Sequence, residues 1–199
     1  MWVLPSRGRP RNINRLIVAY LETGATTHVW LRLDEDDPTL DAYKALILPS
    51  GWTLQTGPRK PLSNIYNEAY GLLQTDWYGF IADDVVPVTP YWDTLLIEAA
   101  GSDGMAVPAG GDTTGGCPHF VLGGDLVRSV GWLALPGLDR IYIDTVWRDI
   151  AEARNVLRMV PNVLLEHRHF SNGMALFDET YRKYNKVMDK EIYQRWKAL

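Results

Sequence analysis

Residues 77–87 read Trp-Tyr-Gly-Phe-Ile-Ala-Asp-Asp-Val-Val-Pro. The apolar run 77–82, carrying aromatic and branched side chains, reads as a buried strand. Asp is among the residues least suited to strands, so Asp83 and Asp84 mark its C-terminal end. In open α/β sheets, ligands bind outside the carboxyl ends of the strands. Adjacent carboxylates raise each other's pKa, and a divalent cation relieves the repulsion because hard cations take carboxylate oxygens. Taken alone, the pair reads equally well as a solvated turn, so its meaning depends on the chain around it.

Upstream, residues 2–5 form a short strand, and Ser6-Arg7-Gly8-Arg9-Pro10 is a polar basic turn. Ile13, Leu16, Ile17, Tyr20 and Leu21 recur at helical spacing and predict a helix over 11–23. Residues 27–33 alternate as a second strand and close in Asp34-Glu35-Asp36-Asp37, where Asp37 is placed to cap a short helix opening at Pro38. A third strand is read over 52–55, a loop with Arg59 and Lys60 over 57–61, and a helix face from Leu62 to Leu73.

Downstream, Thr89-Pro90 starts a helix with Trp92, Leu95, Leu96 and Ala99 on one face. Residues 105–108 are a strand, and 108–118 a glycine-rich loop lacking the Gly-Lys-Ser/Thr of a P-loop. That loop reads as a surface connection or as a substrate lid. A strand over 119–122, a helical turn over 124–130, a helix over 144–154 and strands over 156–160 and 163–166 follow, then His167-Arg168-His169. The last helix spans 178–199, with Tyr181, Tyr184, Met188, Ile192 and Trp196 on one stripe. Alternating strands and helices argue an α/β domain with a mostly parallel central sheet. The expected division is a domain over 1–177 and an amphipathic C-terminal helix over 178–199, packed on the domain or docking from it.

The 199 residues suit one domain, and 46% hydrophobic with 22% charged residues is an ordinary globular balance. A net charge of −4 gives no general attraction to nucleic acid or anionic membrane. Cys117 is the sole cysteine, which rules out an intrachain disulfide and points to a reducing compartment. With no signal-peptide stretch and no run of about 20 apolar residues, the chain reads as soluble and cytoplasmic.

In their order these motifs resemble the GT-A glycosyltransferases, in particular the inverting family 2 type and its short bacteriophage-encoded versions. The resemblance covers roughly residues 2–170. Leu4-Pro5-Ser6-Arg7-Gly8-Arg9-Pro10 resembles the nucleotide-holding loop after the first strand. Asp34-Glu35-Asp36-Asp37 sits where the family places an acid against the base. Ala82-Asp83-Asp84 resembles the Asp-x-Asp-type signature for ribose and metal-diphosphate, although Ala82 leaves it with two carboxylates, not three. Val130-Gly131-Trp132 followed by Tyr142-Ile143-Asp144-Thr145-Val146-Trp147 resembles the segment that carries the catalytic base, with Ile143 replacing the usual acid. His167 and His169 lie where many members place a late metal-binding histidine.

The resemblance implies a metal-dependent transferase of sugar from a nucleoside-diphosphate sugar, most simply a UDP-sugar, to a hydroxyl with inversion. Asp84 with His167 or His169 would hold Mn²⁺ or Mg²⁺, and an imidazole ligand tilts the choice towards Mn²⁺. Pro5, Ser6, Arg7, Arg9, Asp34, Asp36, Lys60 and Asp83 would contact the donor, the cations at the phosphates and Asp83 at the ribose. Asp144 would be general base, although the same residue suits a helix N-cap. A nucleotidyltransferase and a non-catalytic nucleotide-sugar binder are the alternatives. The resemblance leaves the acceptor open among a modified base in phage DNA, a cell-wall glycan and a protein. Arg182, Lys183, Lys186, Lys190, Arg195 and Lys197 on the last helix read either as solvated charge or as a basic face for an anionic acceptor, DNA first among them.

Overall fold

The computed structural model describes residues 1–109, 118–170, 173–175, 177 and 186–199. The first strand, β1 (Trp2–Ser6), runs through the middle of the protein: Trp2, Val3 and Leu4 are all fully buried. It pairs in parallel with β2 (Val29–Asp34) on one side and with β4 (Trp77–Phe80) on the other. Beyond β2 lies β3 (Trp52–Gly57), also parallel. Beyond β4 the sheet continues through β7 (Phe120–Gly123), antiparallel to its neighbours, then β6 (Met105–Ala109), β8 (Leu157–His167) and β5 (Val85–Pro87). Among the described residues the order is β3-β2-β1-β4-β7-β6-β8-β5.

Side chains alternate across a strand, so β1 feeds two apolar layers. Trp2 and Leu4 meet Ile13, Leu16 and Ile17 of α1 (Pro10–Glu22) and Trp92 and Leu96 of α4 (Trp92–Ala100). Val3 faces the opposite layer with Tyr66 of α3 (Leu62–Leu72), Val127 of α5 (Gly124–Val130) and Trp147 of α6 (Ile143–Ala153). Ile192, Tyr193 and Trp196 of the last helix, α7 (Lys186–Lys197), pack on this second layer.

Several boundaries differ from the sequence reading, each for a local reason. The short helix α2 (Leu40–Lys44) starts after Pro38, because Asp37 Oδ1 accepts both Thr39 N and Thr39 Oγ1 at 2.8 Å and so closes a turn ahead of the helix. α4 opens after Tyr91, whose φ of 56° turns the chain into it, and not at Pro90. The two strands read over 156–160 and 163–166 are one strand: its first half pairs with β6, its register shifts, and its last residues pair with β5. β5 has no counterpart in the sequence pattern. Its pairing sets Val85 opposite His167, which carries the histidine to the acid pair. The helix read over 178–199 is seen as α7. Residues 178–185, with Tyr181 and Tyr184, lie outside the described residues, as do 110–117 of the glycine-rich loop with Cys117.

Candidate active site

Ser6 ends β1, Asp34 ends β2, and Asp83 and Asp84 follow β4, so the polar residues gather at the carboxyl edge of the parallel strands. Both acids are buried, at 6% and 4% exposure. Ser6 Oγ donates to Asp83 Oδ2 at 2.7 Å. With its proton so used, Ser6 must accept from the Tyr43 hydroxyl at 2.8 Å, and that hydroxyl accepts from the backbone N–H of Arg9 at 2.8 Å. Burial raises the Tyr43 pKa, which keeps the phenol a donor.

Arg9 precedes Pro10, the first residue of α1, but its side chain makes no capping hydrogen bond. It turns to the acids instead, with Nη1 at 3.1 Å from Asp83 Oδ1 and 3.9 Å from Asp84 Oδ2. His167 Nε2 lies 3.3 Å from Asp84 Oδ1. The two carboxyls are driven apart. Burial pushes the Asp83 pKa up, with Asp84's charge adding to it and Arg9 opposing. At Asp84 burial pushes the same way, but the contact with His167, helped by His119 and Arg9, outweighs it and holds that carboxyl below the ordinary range. Asp84 is therefore the more firmly ionised of the pair and the better cation ligand.

Arg7 sits outside this cluster, its Nη1 at 3.1 Å from Asp34 and 2.5 Å from Asp36. Asp37, not singled out as a ligand in the sequence, accepts the Gly8 N–H at 2.8 Å and ties the basic turn to the end of β2. Pro5 lies within β1, opposite Arg32 of β2. Lys60 Nζ lies on Glu68 at 2.9 Å, and Glu68 in turn lies 3.6 Å from Arg32, which is 3.8 Å from Asp34.

A cavity of about 570 Å³ opens beside the acid pair. Asp84, His119, His167 and His169 line one part of it, and Arg140, Tyr142, Asp144 and Arg148 another. Asp144 lies in the first turn of α6, behind Tyr142 (φ 69°), which occupies the cap position. The reading of Asp144 as N-cap is thereby corrected: Tyr142 holds that position, and Asp144 is a residue of the cavity lining. A bulky residue at positive φ is uncommon and is held by its surroundings.

His119, which begins the approach to β7, is read from the sequence only as the start of a strand and not as a site residue. It is 2% exposed, neither ring nitrogen has a hydrogen-bond partner, and its ring meets His167 edge-on at 4.8 Å. Burial, with His167 adding, pushes its pKa down to about 3, so it is neutral at ordinary pH. A histidine directly after a glycine-rich loop was the available signal. Arg140 and Arg148 gave none, since isolated arginines in a helix and its approach are unremarkable.

Asp84 and His167 pair one carboxylate with one imidazole, a donor set that suits Mn²⁺ and also admits Mg²⁺ through the oxygen. The His169 ring lies 5.1 Å beyond that of His167. Among the described residues no three His, Cys, Asp or Glu side chains together form a complete metal site.

No family model and no curated protein sequence matches the chain. Solved structures do. A mannosyltransferase from Pyrobaculum calidifontis, in complex with GDP-Man and Mn²⁺, superposes with a TM-score of 0.67 at 12% identity, over 84% of this chain and 56% of its own. Glucosyl-3-phosphoglycerate synthase from Mycobacterium tuberculosis, in complex with Mn²⁺, UDP and phosphoglyceric acid, superposes at 0.62 and 14% identity, over 87% of this chain and 73% of its own. HddC from Yersinia pseudotuberculosis gives 0.55 at 11%, over 82% and 91%. The chain spans little more than half the length of the mannosyltransferase. At such identities the likeness is one of fold, and the fold is the α/β GT-A architecture of these transferases.

Proposed function

We propose that the protein is a metal-dependent glycosyltransferase that moves a sugar from a nucleoside-diphosphate sugar, a UDP-sugar first among them, to a hydroxyl acceptor with inversion. The observation that carries this reading is the cavity shared by Asp84 in contact with His167 and by Asp144. One structural neighbour is described with GDP-Man and Mn²⁺ and another with UDP and Mn²⁺, which supports the same donor class here. When bound, the metal supplies a Lewis acid for the leaving diphosphate.

The chain's own groups do the rest. Asp83 uses one lone pair of each oxygen for Ser6 and Arg9, and an ionised carboxylate has roughly four acceptor sites, so both oxygens remain able to take ribose hydroxyls. Arg9 sets positive charge beside the pair where the diphosphate would lie. Asp144 takes the acceptor proton as the new bond forms. The transition state is oxocarbenium-like, as in glycoside hydrolysis.

The products test the proposal. A glycosyltransferase releases nucleoside diphosphate in step with sugar transfer, and Mn²⁺ increases the rate. Pyrophosphate from a nucleoside triphosphate and a sugar phosphate would make the protein a nucleotidyltransferase, and binding without turnover a nucleotide-sugar binder. A DNA acceptor keeps some support in the exposed Lys190 and Arg195 of α7, whereas Lys197 is engaged by Asp149 at 3.0 Å. Duplex binding should then fall with salt by about 0.9 log units per phosphate contact for each log unit of salt. Salt-independent acceptor use would point to a small acceptor taken up in the cavity instead.

A further inference from the structure

The last helix reaches the wall of the cavity that holds Asp144. Asp189 of α7 is fully buried, and its carboxylate accepts three consecutive backbone N–H groups: Asp139 at 2.7 Å, Arg140 at 2.9 Å and Ile141 at 2.9 Å. Successive N–H groups converging on one anion form a nest, and here the anion comes from about fifty residues further along the chain. The next residue is Tyr142, held at φ 69°, with its ring stacked on Tyr193 of α7 at 4.7 Å and 10°. Tyr193 OH donates to Asp149 Oδ2 at 2.7 Å, so the same helix also grips the body of α6.

Helix packing alone has no need of a carboxylate here, because a buried charge is costly unless hydrogen bonds compensate it. The turn does need one: without Asp189, three adjacent, half-buried N–H groups would lose their shared acceptor. The turn also sets where α6 begins, and Asp144 is two residues beyond Tyr142.

We propose that Asp189 is a positioning residue for Asp144: the C-terminal helix holds residues 139–142 in the conformation that puts the Asp144 carboxyl on the cavity wall. The proposal rests on reading Asp144 as the base.

The test compares the full-length wild type with Asp189→Ala, Asp189→Asn and Asp189→Glu. Amide hydrogen exchange is read over 139–146, UDP affinity is measured with Mn²⁺, and kcat and donor KM are measured for transfer. The expected result for Asp189→Ala is faster exchange across 139–146, UDP affinity within about twofold, and kcat lower by roughly 10²-fold with donor KM held, as a small displacement of a reacting group costs. Asp189→Glu should recover part of kcat, since it keeps the charge. Unchanged kcat, or a fall in kcat while 139–146 stays protected, overturns the proposal. Should the alanine variant not fold, the near-isosteric asparagine variant is read by the same criteria. If the wild type transfers no sugar from any donor, the glycosyltransferase reading fails separately, and exchange then decides: protection over 139–146 unchanged in Asp189→Asn refutes the clamp, and its loss upholds it.

Discussion

Asp83 and Asp84 are adjacent in sequence yet serve different surroundings. Asp83 is bound into the chain Arg9–Tyr43–Ser6, whereas Asp84 faces the cavity beside His167. Asp84→Asn should remove the Mn²⁺-dependent part of UDP affinity and leave the metal-free part in place, as calorimetry with and without Mn²⁺ would register. Arg9→Ala should act on the fold. It leaves a buried carboxylate pair without its guanidinium, and loss of one partner of a buried pair costs about 3–5 kcal/mol, measurable as a lower urea midpoint. Asp144→Asn should lower transfer by roughly 10²–10⁴-fold, the usual worth of a general base, with donor binding preserved. Donor affinity that collapses while single-turnover transfer persists would make Asp144 a donor ligand.

Strands β4 and β7 come close to their neighbours only because each carries a glycine at the contact. A Cβ on Gly79 would overlap the Trp2 indole, and one on Gly123 would overlap the backbone of Ser102. Overpacking of this kind costs about 1–3 kcal/mol. Gly123→Ala should be the worse of the two, because backbone yields less readily than a side chain. Against a Trp2→Leu background, Gly79→Ala should cost less than in the wild type, since the two positions share one contact and are not additive. Equal costs in both backgrounds, by chemical denaturation, would refute the contact as the cause. The pairing of β5 with the end of β8 has a different role: it delivers His167 to Asp84 from some eighty residues away.

On the proposed reading, the donor nucleotide lies at the carboxyl edge of the parallel strands and its diphosphate shares the metal with Asp84. UDP and Mn²⁺ should therefore stabilise the protein together more than either does alone. At a ligand concentration of 100 times Kd, binding adds about 2.7 kcal/mol, or roughly 5–11 °C in Tm for a chain of this size. A melting curve indifferent to every nucleoside diphosphate with Mn²⁺ would remove the donor-site reading. No helix among the described residues is long and apolar enough to cross a membrane.

Local pattern was enough to read β1, α1, β2, α3 and the acid pair that closes the β4 segment, because burial periodicity and the placement of Asp at strand ends are short-range signals. The resemblance in motif order added an expectation of the GT-A fold, which the architecture bears out. Short-range pattern did not reveal β5, whose three residues become a strand only when β8 arrives to pair with them. Nor did it show that Arg9 of the basic turn would reach Asp83, that His119 would be buried beside His167, or that Asp189 would be drawn from a helix read as basic and amphipathic into a nest of backbone N–H groups. Each of these depends on a partner distant in sequence. Hydrogen bonds and ion pairs of that kind are set by where the sheet and helices bring the chain together, and residue type or spacing along one segment carries no information about them.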